Sequence, residues 1–210
     1  AGTAGYMIMK TLDDLRDIHI KPILRRFPTL RNWYHKQEKE IQFPNGSLIR
    51  FISSDDEGAI FGLTGKEAAD VMVDQSEKFS QEELEFLFTI NRCTTNDDIT
   101  PKCLFTFNPG GKGHAYHKRV FVQRDFAGNE NPLDFAFLRA FGWDNAFWCR
   151  PALKADGQTI KDYFQWDSER RFRYFVERSD YGRNLYALPE NQRKAYLYGD
   201  FDTFEGQFFA

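Results

Sequence analysis

The sequence has 210 residues with 28 basic and 31 acidic side chains, a formal charge of -3, and a hydrophobic content of 41%. This balance argues against a protein that coats duplex nucleic acid, because such proteins are basic. The sequence shows no apolar run long enough to span a bilayer, no signal-peptide pattern and no C-x-x-C pair, so we expect a cytoplasmic protein without a membrane span, a disulfide framework or a zinc site.

The first quarter of the chain predicts a strand, a helix and a hairpin. Residues 6–9 form a short apolar run, and residues 11–26 have apolar side chains at helical spacing. Pro22 should kink or interrupt this helix, because proline has no N–H to donate to the preceding turn. Residues 41–43 and 48–52 flank the sequence PNGS, and an Asn-Gly pair between two β-type runs predicts a hairpin.

Residues 68–80, AADVMVDQSEKFS, combine an apolar run, an acidic cluster and a helix start. The pattern predicts a buried strand that carries Asp74 at its carboxyl end, which is where open α/β sheets bind their ligands. The alternative is a strand that ends in a solvated acidic turn. Ser80 and Glu83 have the spacing of a capping box, which predicts that a helix begins after Ser80.

The second half of the chain continues the alternation of strands and helices. Residues 102–107 indicate a buried strand that ends in the sequence NPGG, where proline and glycine prevent continuation. Residues 135–141 predict a further strand, residues 160–178 a helix, and Pro189 the start of a last helix. This alternation predicts an α/β fold with a mainly parallel sheet and one inserted or edge hairpin.

Asp74 is the first candidate for chemistry, because a carboxylate held at a strand end can fix a nucleotide-bound Mg²⁺ ion. Hydrolysis also needs a group that orients and polarises water. The next residue is Gln75, which can orient water through hydrogen bonds but cannot take a proton at neutral pH. Glu77 could supply the missing carboxylate, or it could be a surface acid that the following helix dipole favours.

The end of the next predicted strand is the second candidate. A polar side chain among Thr106, Phe107 and Asn108 could sense a γ-phosphate and transmit the change to the loop beyond it. The alternative is a strand that ends in a Pro-Gly turn without further function.

A local basic cluster follows and could contact phosphate of DNA or of a nucleotide. Its members are Lys112, His114, His117, Lys118 and Arg119. The alternative is a solvated helix face. The spacing of the two histidines is a weak metal signal, because no nearby cysteine or acid completes a ligand set.

Arginines at positions 170, 171 and 173 alternate with aromatic residues over the range 166–175. Such a pattern could stack on and neutralise single-stranded nucleic acid. The alternative is a helix whose aromatic side chains are buried and whose arginines face water.

The printed sequence has no P-loop of the form G-x-x-x-x-G-K-[ST]. The nearest approach is GYMIMKT at residues 5–11, where Met9 stands in place of the second glycine. Its bulky apolar side chains would stop backbone N–H groups from cradling a phosphate. We therefore expect these residues to form a strand.

Taken in order, five segments resemble the ATPase domain of the large terminase subunit, the DNA-packaging motor of tailed bacteriophages. They read MIMKTLDDLRDIHIKPIL, IQFPNGSLIRFIS, GLTGKEAADVMVDQSEKFSQEEL, CLFTFNPGGKGHAYHKRVF and ALPENQRKAYLYGDFDTFEGQFF. The resemblance covers most of the chain. It implies a truncated fold of the P-loop NTPase type, with ATP and Mg²⁺ as cofactors.

The resemblance also implies roles for single residues. Asp74 would hold Mg²⁺, and the segment from Thr106 to Asn108 would couple hydrolysis to DNA movement. The family often has glutamate directly after the aspartate, and Gln75 departs from that pattern. In some members of the family the residue order at this place resembles Asp-Gln-x-Glu. The same order here would give the catalytic role to Glu77.

The resemblance implies a domain order. Residues 1–188 would form an ATPase core whose Walker A segment would precede Ala1, so this chain alone is expected to be inactive. Residues 189–210 would be a closing helix and a linker toward a nuclease domain. The implied partners are duplex DNA, a portal protein, a small terminase subunit and further copies of the chain in a ring, at the portal vertex in the host cytoplasm.

A second function class stays open. A catalytically silent module with the same sheet could bind a partner or nucleic acid without hydrolysing ATP. Gln75 and the missing P-loop favour this alternative. The order of the motifs and the Asn108-Pro109 turn favour the motor.

Overall fold

The structure is a computed structural model that describes residues 2–56, 58–128 and 130–203. The chain divides into two units. The first unit comprises Ala1–Phe107 and Gly111–Tyr116, and the second unit comprises Asn108–Gly110 and His117–Ala210. This division falls elsewhere than the boundary at residue 188 expected from the sequence, which stays a prediction.

A mostly parallel sheet lies at the centre of the first unit. In the described residues it has six strands, which are β1 (Ala4–Met9), β2 (Tyr34–His35), β3 (Glu40–Gln42), β4 (Leu48–Ser53), β5 (Asp70–Val73) and β6 (Lys102–Phe105). The order across the sheet is β2-β3-β4-β1-β5-β6. Strands β4, β1, β5 and β6 are parallel neighbours, whereas β2, β3 and β4 pair antiparallel at one edge. The predicted α/β class and edge hairpin are confirmed.

The Asn-Gly pair forms the turn between β3 and β4. Phe43 donates its N–H to the Ser47 carbonyl at 2.8 Å, and Gly46 donates to the Phe43 carbonyl at 2.9 Å. Gly46 has a φ of 83°, which glycine adopts at no steric cost. The geometry is that of a turn followed by a left-handed bulge residue, a common hairpin connection.

The helical run after β1 contains a π-helical turn that ends two residues before Pro22. It comprises α1 (Leu12–Asp14), a π-helix over Leu15–Ile20 and α2 (Lys21–Arg26). Thr11 caps it by accepting the Asp14 N–H at 3.2 Å. The interruption predicted at Pro22 takes this form because the proline ring crowds the carbonyl four residues earlier, and a wider turn relieves the contact.

The helix after β5 begins where the sequence predicts. It is α3 (Gln81–Ile90), and Ser80 and Glu83 form the predicted capping box. The Ser80 hydroxyl accepts the Glu83 N–H at 3.3 Å, and the Glu83 carboxylate accepts the Ser80 N–H at 2.9 Å. Short 3-10 helices of the first unit cover Pro28–Asn32, Ala59–Leu63 and Ser76–Lys78.

One hydrophobic cluster of the first unit joins the hairpin edge of the sheet to the helical run after β1. Its buried side chains are Met9, Leu15, Ile20, Ile41 and Phe51. Because Leu15 and Ile20 lie at the two ends of the π-helix, burial anchors that segment on both sides.

Helices dominate the second unit. After β6 comes α4 (His114–His117), of which all but His117 belongs to the first unit. The described helices of the second unit are a π-helix over Lys118–Gln123, α5 (Arg150–Ala155), α6 (Ile160–Gln165), α7 (Ser168–Arg178), α8 (Asp180–Tyr186) and α9 (Glu190–Tyr196). Short 3-10 helices cover Pro132–Asp134, Gly142–Asp144 and Ala146–Cys149. A buried cluster of this unit comprises Trp143, Ala146, Cys149, Leu153, Tyr163, Phe175 and Leu197.

Two predicted elements of this unit are wrong. Residues 135–141, all of them described, form no strand, because no neighbouring strand offers its backbone and Leu138 is 92% exposed. Residues 160–178 form two helices instead of one. Asp167 ends the continuity by capping α7, where its carboxylate accepts the Arg170 N–H at 2.7 Å. The last helix does follow Pro189, as predicted.

The aromatic residues of α7 belong to the interior of the second unit. Phe175 is fully buried, and Trp166, Phe172 and Tyr174 pack against the same buried cluster. The Arg170 guanidinium lies 4.2 Å from the centre of the Trp166 ring. The buried-stripe interpretation of this helix therefore fits the structure better than a base-stacking surface. None of the helices in the described ranges has the length and apolar character to cross a membrane.

Candidate nucleotide-phosphate and metal site

The carboxyl ends of three parallel strands meet at one edge of the sheet. Lys10 follows β1, Asp74 follows β5 and Thr106 follows β6. Such an edge is where ligands bind in open α/β sheets. The segment at residues 5–11 lies within β1 and the bend after it, so the expectation that it forms a strand is confirmed.

Asp74 is the centre of a hydrogen-bonded cluster. His19 Nε2 donates to Asp74 Oδ2 at 2.8 Å, and the two side chains are 15% and 21% exposed. Asp74 Oδ1 accepts the Gln75 backbone N–H at 3.1 Å and also the Thr106 hydroxyl. The hydrogen bond from His19 lowers the pKa of the Asp74 carboxyl, burial raises it and Thr106 lowers it further, with a net lowering. Asp74 is therefore an anion at neutral pH.

His19 is the site residue that the sequence did not reveal. It lies on the π-helix after β1 and reaches Asp74 across 55 residues of sequence. The contact depends on β1 pairing directly with β5 and on the register of the π turn. Neither follows from the local pattern, although a histidine on the helix after a neighbouring strand is a signal that a search for charged partners could use.

Gln75 has a strained backbone at this site. Its φ of 56° and ψ of 48° are left-handed, a conformation that a residue with a Cβ adopts at some cost and that clusters at functional sites. Its N–H points at Asp74 Oδ1 and lies 3.2 Å from Thr106 Oγ1. Within the described residues, the side-chain oxygen Oε1 is buried without a hydrogen-bond partner.

Thr106 joins the ends of β5 and β6. Its carbonyl accepts the Ser76 N–H at 2.8 Å and the Ser76 hydroxyl at 3.1 Å. Its own hydroxyl contacts Asp74. The Thr106 side chain therefore links the Asp74 carboxylate to the end of β6. Phe107 is the last residue of the longer segment of the first unit, and Asn108 is assigned to the second unit.

Glu77 lies in the 3-10 helix Ser76–Lys78, and its side chain is half-buried. Its carbonyl accepts the Gly113 N–H at 2.9 Å. A Cβ placed on Gly111 would lie 2.3 Å from the same carbonyl oxygen. The loop after β6 therefore packs against the backbone of Glu77 and fixes the position of that backbone.

Lys10 has a local partner at the same sheet edge. Its Nζ lies 3.1 Å from Glu83 Oε1, and the two side chains are 17% and 4% exposed. The ammonium also lies 5.1 Å from the centre of the Phe79 ring. Glu83, the acidic residue of the α3 capping box, thus holds the lysine at the end of β1.

The residues of the basic cluster have different surroundings. Lys112 is exposed and His114 is half-buried. Lys118 is nearly buried, with its Nζ 2.8 Å from an Asp202 carboxylate oxygen. Arg119 donates two hydrogen bonds to Glu130, at 2.7 and 2.8 Å. Because Lys118 and Arg119 already have carboxylate partners, their contact with phosphate stays a prediction.

The oxygen ligand that Asp74 offers fits a magnesium ion. No group of three or more His, Cys, Asp or Glu residues among those described could hold a metal. Magnesium does not require such a cage, since it keeps several waters and binds through one or two carboxylates and substrate phosphates. An ionised Asp74 supplies a hard oxygen ligand of this kind.

No family model matches the sequence, and no curated protein does. Among solved structures, the chain is similar to the large terminase from a thermophilic bacteriophage in complex with ADP, with a TM-score of 0.58 and 15% identity over 95% of this chain and 41% of that chain. The complex of that terminase with ATP-gamma-S gives a TM-score of 0.54 and 15% identity over 95% of this chain and 40% of that chain. A further structure of the same terminase in crystal form 3 gives a TM-score of 0.54 and 14% identity over 94% of this chain and 40% of that chain.

The described chain has the fold of these large terminase structures, as the resemblance in the sequence implied. It spans about two fifths of their length, 41% of the ADP complex. At such low identity the likeness concerns the fold and leaves the activity to be argued from the site.

Proposed function

We propose that this chain is part of the ATPase domain of a viral DNA-packaging terminase large subunit, which couples ATP hydrolysis to translocation of duplex DNA into procapsids. The observation that carries the proposal is the hydrogen-bonded cluster of His19, Asp74 and Thr106 at the carboxyl ends of adjacent parallel strands. The similarity to terminases solved with ADP and ATP-gamma-S supports a nucleotide as the ligand of this edge.

In this function Asp74 holds Mg²⁺, directly or through a water. The ion, when bound, neutralises charge on the phosphate oxygens. The hydrogen bonds that Asp74 accepts from His19, Thr106 and the Gln75 backbone keep its carboxyl group ionised, against the effect of burial, and hold it in one orientation. The proposed function also requires a segment with the P-loop pattern to cradle the phosphates of ATP, and the printed sequence does not contain this pattern.

Gln75 and Glu77 have different roles toward the attacking water. Gln75 orients the water through its side-chain amide, and Glu77 accepts the proton that the water loses. The strained backbone of Gln75 and the packing of Gly111 against Glu77 hold the two residues in place. This assignment supplies the carboxylate that is absent directly after Asp74.

Thr106, Phe107 and Asn108 couple the site to DNA movement. Thr106 contacts Asp74, and the chain crosses from the first unit to the second between Phe107 and Asn108. Lys112, His114, Lys118 and Arg119 contact phosphate beyond that crossing. The partners that this function requires are duplex DNA, a portal protein, a small terminase subunit and further copies of the chain in a ring. The complex acts at the portal vertex of procapsids in the host cytoplasm.

The test is a substitution of Glu77 in the complete gene product. Glu77→Gln keeps the shape of the side chain but cannot take a proton, so DNA-stimulated ATP turnover should fall by about a hundredfold or more. ATP binding should stay unchanged, which equilibrium binding of labelled ATP measures. Glu85→Gln is the matched control, because Glu85 is exposed on α3 and its loss should leave turnover intact. Near-normal turnover of Glu77→Gln would remove Glu77 from the mechanism.

The alternative function is a catalytically silent module that binds a nucleotide, a partner or nucleic acid. Gln75 in place of a carboxylate and the missing P-loop favour it. The same assay separates the two functions. A wild-type complete protein that shows no ATP turnover above background, with or without duplex DNA, would favour the silent module.

A further inference from the structure

We propose that His19 is a positioning residue whose hydrogen bond to Oδ2 of Asp74 competes with the binding of Mg²⁺ to this carboxylate. The inference deepens the proposed function and rests on Asp74 being its metal carboxylate. It assigns to His19 a role in deciding when the site can be loaded.

The first step of the argument is the distribution of donors around the carboxylate. Oδ1 receives the Gln75 N–H and the Thr106 hydroxyl, both of which come from the ends of β5 and β6. Oδ2 receives His19 Nε2 at 2.8 Å. Because Oδ1 already has two donors, Oδ2 is the oxygen on which an approaching cation depends.

The second step is electrostatic. The positive end of an N–H dipole and a divalent cation repel each other when they share one carboxylate oxygen. A hydrogen bond to a charged group is among the stronger ones in proteins. Cation binding to Asp74 and the hydrogen bond from His19 therefore oppose each other.

The third step concerns the backbone that carries His19. The residue lies in a π-helix, a form that is rare and is found mostly as single turns at functional sites. Leu15 and Ile20 anchor the two ends of this segment in the interior. A change in the hydrogen bonding of this turn would rotate His19 relative to Asp74. The segment therefore offers a route by which His19 can leave Oδ2.

This role predicts an effect that a purely structural residue would not produce. Removing His19 should strengthen cation binding to the nucleotide-free protein, because Oδ2 no longer has a competing donor. Removing a residue that only supports the fold would weaken cation binding.

The experiment uses Mn²⁺ as a paramagnetic probe for the magnesium position, with free Mn²⁺ measured by electron paramagnetic resonance in the absence of nucleotide. His19→Ala should bind Mn²⁺ about tenfold more tightly than the wild type, since the competing hydrogen bond is gone. His19→Gln, whose amide keeps a donor, should return toward the wild type. His35→Ala is the control, because His35 is exposed on β2. Asp74→Asn should lose the binding.

One result would overturn the role of His19 alone, and another would overturn the metal role of Asp74. If Mn²⁺ binding depends on Asp74 but is unchanged or weaker in His19→Ala, the role of His19 is wrong and the proposed function stands. If Asp74→Asn binds Mn²⁺ as well as the wild type does, the metal role of Asp74 fails, and with it the proposed mechanism.

A measurement on the unaltered protein keeps the test independent of how the variants fold. Diamagnetic Mg²⁺ added to wild-type protein should shift the ¹⁵N resonance of His19 Nε2 as the hydrogen bond to Oδ2 is lost. The resonances of His35 should stay in place. A His19 signal that does not respond at Mg²⁺ concentrations that saturate the Asp74-dependent site would overturn the inference.

Discussion

Glu130 is the acceptor around which a loop of the second unit is arranged. Its two carboxylate oxygens accept hydrogen bonds from Arg119 at 2.7 and 2.8 Å, and Oε2 also accepts the Ala127 N–H at 2.7 Å. The Arg119 guanidinium lowers the pKa of Glu130 from 4.5 to about 2, against burial, which raises it. A paired arginine and carboxylate with this geometry are held more firmly than a typical surface ion pair.

The lowered pKa of Glu130 predicts a pH dependence of stability. The contribution of the ion pair is present above the ordinary value of 4.5 and is lost as pH falls toward about 2. Glu130→Gln should therefore lower the free energy of unfolding at pH 7 by up to about 3 kcal/mol, and by much less near pH 2. Urea unfolding of both proteins at several pH values measures the difference. A difference that is the same at pH 7 and near pH 2 would contradict the assigned pKa.

The residues of the candidate site divide into those that a local pattern reveals and those that it does not. Asp74 could be predicted because an apolar run directly before an acid is a local signal. The hydrogen bonds from His19 and Thr106 could not, because they join segments that meet only after β1, β5 and β6 pair. The left-handed backbone of Gln75 also escaped the sequence, since non-glycine residues rarely adopt it.

At the scale of elements, the loop after β6 returns to the turn after β5. Gly113 donates to the Glu77 carbonyl, and Gly111 approaches the same oxygen more closely than any residue with a side chain could. Gly111 also has a φ of 74°, in the left-handed region. Both the conformation and the close approach therefore require glycine at this position.

Substitutions of Gly111 and Gly65 should separate the cost of the backbone conformation from the cost of the close approach. Gly65 has a similar φ of 79°, but a Cβ there would meet nothing within 4 Å. Gly65→Ala should cost about 1 kcal/mol of unfolding free energy for the backbone conformation. Gly111→Ala should cost about 2 kcal/mol more, because the added methyl group forces the loop away from Glu77. Chemical denaturation measures both values, and equal losses in the two variants would contradict the close approach.

The elements that sequence reasoning placed correctly are those with local chemistry at their ends. The hairpin follows from Asn45-Gly46, and the start of α3 follows from the Ser80 and Glu83 pair. Residues 135–141 have an apolar pattern typical of a strand, but strands require a neighbouring backbone, which the pattern does not report. The break between α6 and α7 depends on Asp167 acting as a cap, and a helix former at the same place would have continued the helix.

The whole molecule combines a sheet-centred first unit with a helical second unit, and the chain crosses between them more than once. It leaves the first unit after Phe107, returns for Gly111–Tyr116 and continues in the second unit from His117. Thr106, which contacts Asp74, lies just before the first crossing. The proposed coupling segment is therefore also a covalent connection between the two units.

The binding of ATP provides a test at this scale. Tight binding of a triphosphate depends on backbone N–H groups that surround the phosphates, and the printed sequence has no motif that builds such a cradle. The 210-residue chain should therefore bind Mg-ATP with a Kd of about 1 mM or weaker, which equilibrium dialysis with labelled ATP measures. Asp74→Asn should weaken even this binding, because the carboxylate would be the chain's own link to the metal. Micromolar affinity in the wild type would contradict the prediction. If that affinity also disappeared in Asp74→Asn, the cradle would have to lie at the same sheet edge, beside Lys10 and Thr106.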